Sequence, residues 1–129
     1  MKKISLAILM FALMIIGTVT TASAAESTSY DVTFPSRSTA FIKVVSFTPT
    51  NDGIATLKGY QYQSGTSAFS TFYRVTENGF DTTILKQFNG NRSVAFDIPV
   101  KSGNTYAVLV SRMQINPVEY NVYGTVTYP

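Results

Sequence analysis

From position 27 to the C-terminal proline, β-branched and aromatic residues alternate with polar ones, and clusters of turn residues interrupt the pattern about every ten positions. Period two is the spacing at which a strand buries one face, and no stretch repeats at the 3.6-residue spacing of an amphipathic helix. Such a chain can bury its apolar residues only by laying sheet against sheet, which predicts an all-β fold. The alternation marks about eight strands, at 27–34, 40–47, 54–63, 68–76, 82–88, 92–98, 106–112 and 118–128. That number of short strands predicts an antiparallel β-sandwich or jelly roll, with a small closed barrel as the second choice.

Within this frame the facing of several strands is readable. Tyr30, Val32 and Phe34 share one face of the first, Phe69, Tyr73 and Val75 one face of the fourth, and Val94, Phe96 and Ile98 one face of the sixth. Segments 40–47 and 106–112 are apolar on both faces, the mark of central strands. Segment 54–63 is ambiguous, with Ile54, Thr56, Lys58, Tyr60 and Tyr62 on one side and Ala55, Leu57, Gly59 and Gln61 on the other. Asn78-Gly79 between alternating segments predicts a tight hairpin, because both residues tolerate positive φ. Residues 113–117 read as a crossover or short turn, and Gly124 inside the last strand as a bulge.

Ahead of the strands stands a different kind of segment. Met1-Lys2-Lys3 precedes an apolar run from Ile4 to Ile16, whose 13 residues fall short of the roughly 20 that span a bilayer. Small residues follow, and Ala22-Ser23-Ala24 supplies the −3 and −1 positions of a signal-peptidase site, so residues 1–24 read as a bacterial-style signal peptide and 25–129 as one secreted domain. Its removal takes Lys2 and Lys3 with it and lowers the net charge from +3 to +1, with eight Lys and Arg left against seven acids. The remaining cations are scattered singly, which disfavours nucleic acid and anionic membranes as partners.

Missing residue types narrow the chemistry further. Without cysteine the chain has no disulfide, thiolate metal site or lipoprotein acyl anchor, and without histidine it lacks the usual base of a nucleophilic triad and the commonest metal ligand. The acids Glu26, Asp31, Asp52, Glu77, Asp81, Asp97 and Glu119 sit mostly in turns or at strand ends, where they read as solvated rather than as a glycosidase pair. Asn51-Asp52-Gly53 carries a single carboxylate and reads as an Asx turn rather than a calcium loop. No catalytic residue, metal ligand or cofactor is expected, and the chain reads as a non-enzyme.

Tyrosine is the one enriched type, with eight in the chain. Its ring is a rigid apolar surface with a polar tip, suited to strand cores and to contacts with sugars or proteins alike. Tyr60 and Tyr62 share a strand face with Lys58, and Tyr123 points away from the apolar series of the last strand. These four residues are the candidate ligand-binding set, and rings two residues apart on one strand face lie about 7 Å apart.

The stretch Val94-Ala95-Phe96-Asp97-Ile98-Pro99-Val100, the turn Gly103-Asn104-Thr105-Tyr106 into an apolar strand, and Tyr120-Asn121-Val122-Tyr123-Gly124 resemble the closing part of bacterial pre-peptidase C-terminal-like domains. The resemblance is confined to the last third of the chain. It implies a jelly-roll-like accessory fold attached to secreted hydrolases and thought to assist targeting, but no site residues, since the Asp-rich segment and an accompanying catalytic domain are missing here. Together these readings predict a small secreted protein that binds an extracellular polysaccharide or protein. The alternative is a structural or self-associating protein of an extracellular matrix or surface.

Overall fold

Each alternating segment becomes a strand. The computed structural model describes residues 25–35, 38–65, 68–112 and 118–129; the signal peptide expected at 1–24 and the crossover or short turn expected at 113–117 lie outside the described residues. In chain order the strands are β1 (Glu26–Phe34), β2 (Ile42–Phe47), β3 (Gly53–Gln63), β4 (Ser70–Glu77), β5 (Phe80–Asn89), β6 (Arg92–Val100), β7 (Tyr106–Ser111) and β8 (Tyr120–Tyr128). They form two four-stranded antiparallel sheets, β1-β8-β3-β6 and β2-β7-β4-β5. Consecutive strands mostly cross from one sheet to the other, which is the jelly-roll arrangement rather than a closed barrel.

The core fills the space between the sheets with the inward half of each alternation. Leu57, Val122 and Val126 from the first sheet meet Tyr73, Val75 and Val108 from the second, all at 0% exposure. Rings add directed contacts, with Phe34 stacked on Tyr120 at 4.4 Å and Tyr73 edge-on to Phe96 at 5.8 Å between centroids. β4, β6 and β8 face as their alternation predicts. The Asn78-Gly79 hairpin forms with both residues at positive φ, 50° and 84°, as a two-residue turn of the twist-matching kind requires.

Three expectations need correction. The double-sided apolarity of segment 40–47 does not make a central strand: β2 is an edge, paired only with β7, and a register shift between Lys43 and Val45 lets neighbouring apolar residues both reach the core. Gly124 is not a bulge, because β8 runs in unbroken register with β1 and β3 through it. It is glycine because Gly59 lies opposite on β3 and the Tyr30 ring rises beneath the pair. A Cβ on Gly124 would meet the Lys58 carbonyl oxygen at 2.4 Å and Gly59 Cα at 2.6 Å. Finally, several acids do more than meet water. Asp52 Oδ1 accepts the Ser102 N–H at 2.8 Å, and Glu77 Oε1 accepts the Tyr106 hydroxyl at 2.9 Å, tying the loops at one end of the sandwich.

β3 resolves its ambiguity by burying glutamine. Gln61 and Gln63 point inward at 0% and 2% exposure, and each is held by partners. Gln61 Nε2 donates to the carbonyls of Gly90 at 2.7 Å and Phe88 at 3.2 Å, while its Oε1 accepts the Thr71 hydroxyl. Gln63 Oε1 accepts from buried Arg112 at 2.8 Å, and the Arg112 guanidinium lies 4.5 Å over the Tyr120 ring. A buried amide is tolerable only when satisfied, and these bonds decide which side of β3 faces out.

Candidate functional site

With Gln61 and Gln63 turned inward, Ile54, Thr56, Lys58, Tyr60 and Tyr62 form the outward side of β3, at the middle of the first sheet. Its neighbour β8 presents Asn121, Tyr123, Thr125 and Thr127, and β1 beyond it presents Ser27, Ser29, Asp31 and Thr33. The antiparallel register arranges these side chains in rows. Tyr60 lies opposite Tyr123, and Tyr123 opposite Asp31; one row on, Lys58 lies opposite Thr125, and Thr125 opposite Ser29. All four candidate residues, Tyr60, Tyr62, Tyr123 and Lys58, therefore stand on one face in adjacent rows.

The rings meet differently from the expected spacing along one strand. Tyr60 pairs across strands with Tyr123, their centroids 5.9 Å apart and planes tilted by 32°. Tyr62 and Tyr123 are 49% and 46% exposed, and Tyr60 beside them is half-buried. Exposed rings of this size are ordinarily turned inward, so a cross-strand pair left open is an apolar surface available to a ligand. Lys58 is exposed in the adjoining row, and among the described residues it has no ion-pair partner.

Polar groups of fixed direction surround the rings. Asn121 Nδ2 donates to Asp31 Oδ1 at 2.8 Å, holding that carboxylate beside Tyr123. Thr56 Oγ1 donates to Asp97 Oδ1 at 3.0 Å on the far side of the sheet, and Ser29 Oγ lies 3.4 Å from Thr125 Oγ1. Two shallow hollows continue the face along the strands: about 190 Å³ beside Tyr62, Thr33 and Asn121, and about 480 Å³ where Ile54, Thr56, Lys58, Thr125 and Thr127 line the other end. From Tyr62 to Ile54 the track follows β3 for eight residue steps, about 27 Å.

Beneath the ring pair the sheet is closely packed. The Tyr30 hydroxyl sits under the Gly59–Gly124 crossing, immediately behind Tyr60 and Tyr123, and is buried with no hydrogen-bond partner among the described residues. Burial pushes its ionisation well above the ordinary phenol range. Asp31 and Asn121 were invisible to sequence reasoning as site residues, because their closeness depends on the β1–β8 pairing across 90 positions of chain. Among the described residues no three His, Cys, Asp or Glu side chains come together as a metal ion would need.

No protein-family model matches the chain, and no curated protein matches it. In backbone shape it is similar to the native family 35 carbohydrate-binding module from Clostridium thermocellum, with a TM-score of 0.49 and 11% identity over 83% of this chain and 100% of that one. It is also similar to the CBM35 from Paenibacillus barcinonensis, with a TM-score of 0.46 and 8% identity over 80% of this chain and 98% of that one.

Proposed function

We propose that this chain is a secreted, non-catalytic module that binds a polysaccharide along the outer face of its first sheet. The observation that carries the reading is the outward cross-strand pair of half-buried Tyr60 and exposed Tyr123, with exposed Tyr62 one row away. A pyranose ring has an apolar C–H face and a rim of hydroxyls. The platform offers the matching surface: tyrosine faces for the C–H side, and Asp31, Asn121, Lys58 and the Ser and Thr hydroxyls for the rim. The length of the track suits an extended chain better than a single sugar. A protein partner would ask for a dry apolar centre, whereas the positions around these rings are mostly serine and threonine.

The carboxylates on this face favour binding over hydrolysis. Asp31 on β1 and Asp97 on β6 are three strand spacings apart across the sheet and four residues apart along it, about 20 Å in all, beyond the roughly 5–9.5 Å at which two acids act on one glycosidic bond. Each already accepts a hydrogen bond from a neighbour. Secretion follows from the signal peptide read in residues 1–24, which would deliver the module to polymers outside the cell.

The test is retention on insoluble cell-wall and plant polysaccharides, with affinity electrophoresis in soluble ones. Replacing Tyr60 and Tyr123 together by Ala should weaken retention by about tenfold or more, the loss expected when central aromatic anchors are truncated. The thermal melt of the double variant should show that the fold persists. Undiminished retention by a folded double variant, or no retention of the parent on any of the polymers, would overturn the proposal.

A further inference from the structure

Two open sheets leave four strand edges: β1 and β6 in the first, β2 and β5 in the second. An edge offers unpaired backbone groups to any passing strand, and folded proteins blunt their edges with short strands, bulges, prolines and charges. Three of the four edges here carry such devices. β2 has only six residues, a register shift after Lys43, and that lysine exposed. β5 shifts register opposite Arg74–Thr76 and places Lys86 against the buried Tyr73 position, an inward-register charge. β6 contains Pro99, which removes a backbone donor, and begins at Arg92.

β1 is the least protected of the four, with no shift and no proline, and with Glu26 and Asp31 as its only charges. Its nine residues, Glu-Ser-Thr-Ser-Tyr-Asp-Val-Thr-Phe, include no Pro, Lys or Arg, and they pair one for one with β8 without a shift. We propose that this edge pairs antiparallel with β1 of a second copy of the chain, across a twofold axis through Tyr30. Only this centre uses all nine residues of both strands. It keeps inward residues beside inward residues, as a continuous sheet demands. Ser29 then lies opposite the partner's Asp31, Ser27 opposite the partner's Thr33, and Thr28 opposite the partner's Val32, so no like charges face each other. Moving the centre to Asp31 would set the two carboxylates together, which is unfavourable.

The pairing joins the two first sheets into one of eight strands and leaves both tyrosine platforms on the same side. β8 and the partner's β8 are then three strand spacings apart, about 14 Å. One polymer could engage both platforms, and the second contact would be intramolecular. The pairing stands without the polysaccharide reading; only this bivalency rests on it.

Sedimentation velocity of the secreted protein from low to high micromolar concentration tests the pairing directly, without any ligand. The parent should shift from monomer to dimer, and Ser93→Asp, which adds the same charge on the outer face of β6, should shift in the same way. Ser29→Asp sets carboxylate against carboxylate twice in each dimer and should raise the dissociation constant about tenfold or more, with an unchanged melt. A parent that stays monomeric, or a Ser29→Asp variant that dimerises like the parent, would overturn the proposal. Hydrogen exchange on the unmutated protein gives a reading independent of any variant: exchange of β1 amides should slow with concentration, and its failure to do so also refutes the pairing.

Discussion

The two outward faces of the sandwich are built by the same alternation, yet they dispose of their rings and charges in opposite ways. On the second sheet the Arg74 guanidinium lies 4.4 Å over the Phe41 ring and 3.3 Å from Asp81, so one cation serves both a ring and a carboxylate. The hollow there, about 710 Å³ and bordered by Lys43, Arg74, Thr76, Phe80 and Asp81, has the Arg74–Asp81 pair in its wall. On the first sheet the rings lean on each other, Lys58 forms no ion pair among the described residues, and Asp31 is held by an amide rather than neutralised by a cation. Groups that a face does not satisfy internally are the ones left for a ligand. That contrast favours the first sheet, even though the second exposes the larger single apolar side chains, Phe80 at 78% and Leu85 at 58%.

The contrast is broken most severely through the glycine crossing under the tyrosines. Gly124→Ala forces a Cβ against two backbone atoms that cannot swing aside, so several kcal/mol should be lost, and the melt should fall by more than about 10 °C or disappear. Leu85→Ala on the second face should barely move it. Calorimetry of the two variants checks the difference, and equal melts would show that the first sheet tolerates a wider β3–β8 separation than its geometry indicates.

Alkali separates inward from outward tyrosines. Burial raises the ionisation of Tyr30 and Tyr73 beyond the usual phenol range and pushes Tyr120 up to about 12. Between the ordinary phenol value near 10 and these raised ones, the unfolded chain has lost protons that the folded chain keeps. The stabilisation is therefore complete below about pH 10 and is lost as pH rises through the folded values, by an amount on the order of a few kcal/mol. Melts across pH 8 to 12, read beside tyrosinate absorbance, should show inward tyrosines ionising together with unfolding; their ionisation in a chain that stays folded would contradict the packing.

A smaller effect compares the faces by function. Phe41 and Leu85 replaced together by Ala should leave polysaccharide retention within about twofold, against the tenfold loss for the Tyr60 and Tyr123 pair. If the second-face variant is the one that loses retention, the site has been placed on the wrong sheet. The smallest change expected is a gain. Tyr30→Phe removes a buried hydroxyl with no partner among the described residues, and should stabilise the fold by about 1 kcal/mol, a few degrees in the melt. A loss of stability instead would mean that the hydroxyl holds the Gly59–Gly124 crossing in place.

Much of this architecture was legible in the chain, and the illegible parts share a cause. Strand positions followed from period two, the hairpin from Asn78-Gly79, and the facing of β4, β6 and β8 from apolar series that only one sheet face accepts. β3 was ambiguous because hydrophobicity predicts burial only for groups that need no partner, and Gln61 and Gln63 enter the core on hydrogen bonds to residues far along the chain. The sequence singled out Tyr60, Tyr62, Tyr123 and Lys58, because rings and a lysine on polar strand faces stand out locally.

By itself, then, the alternation determined that the chain is all-β with about eight short strands, and composition determined that it has no cysteine or histidine chemistry. Both are properties of residues and their immediate neighbours. Only the tertiary structure decided the jelly-roll order, the edge position of β2, the reason for glycine at 59 and 124, and the gathering of Asp31 and Asn121 around the tyrosines. Those depend on which strands lie side by side, and antiparallel pairing joins residues tens of positions apart by backbone bonds that are the same for nearly every side chain.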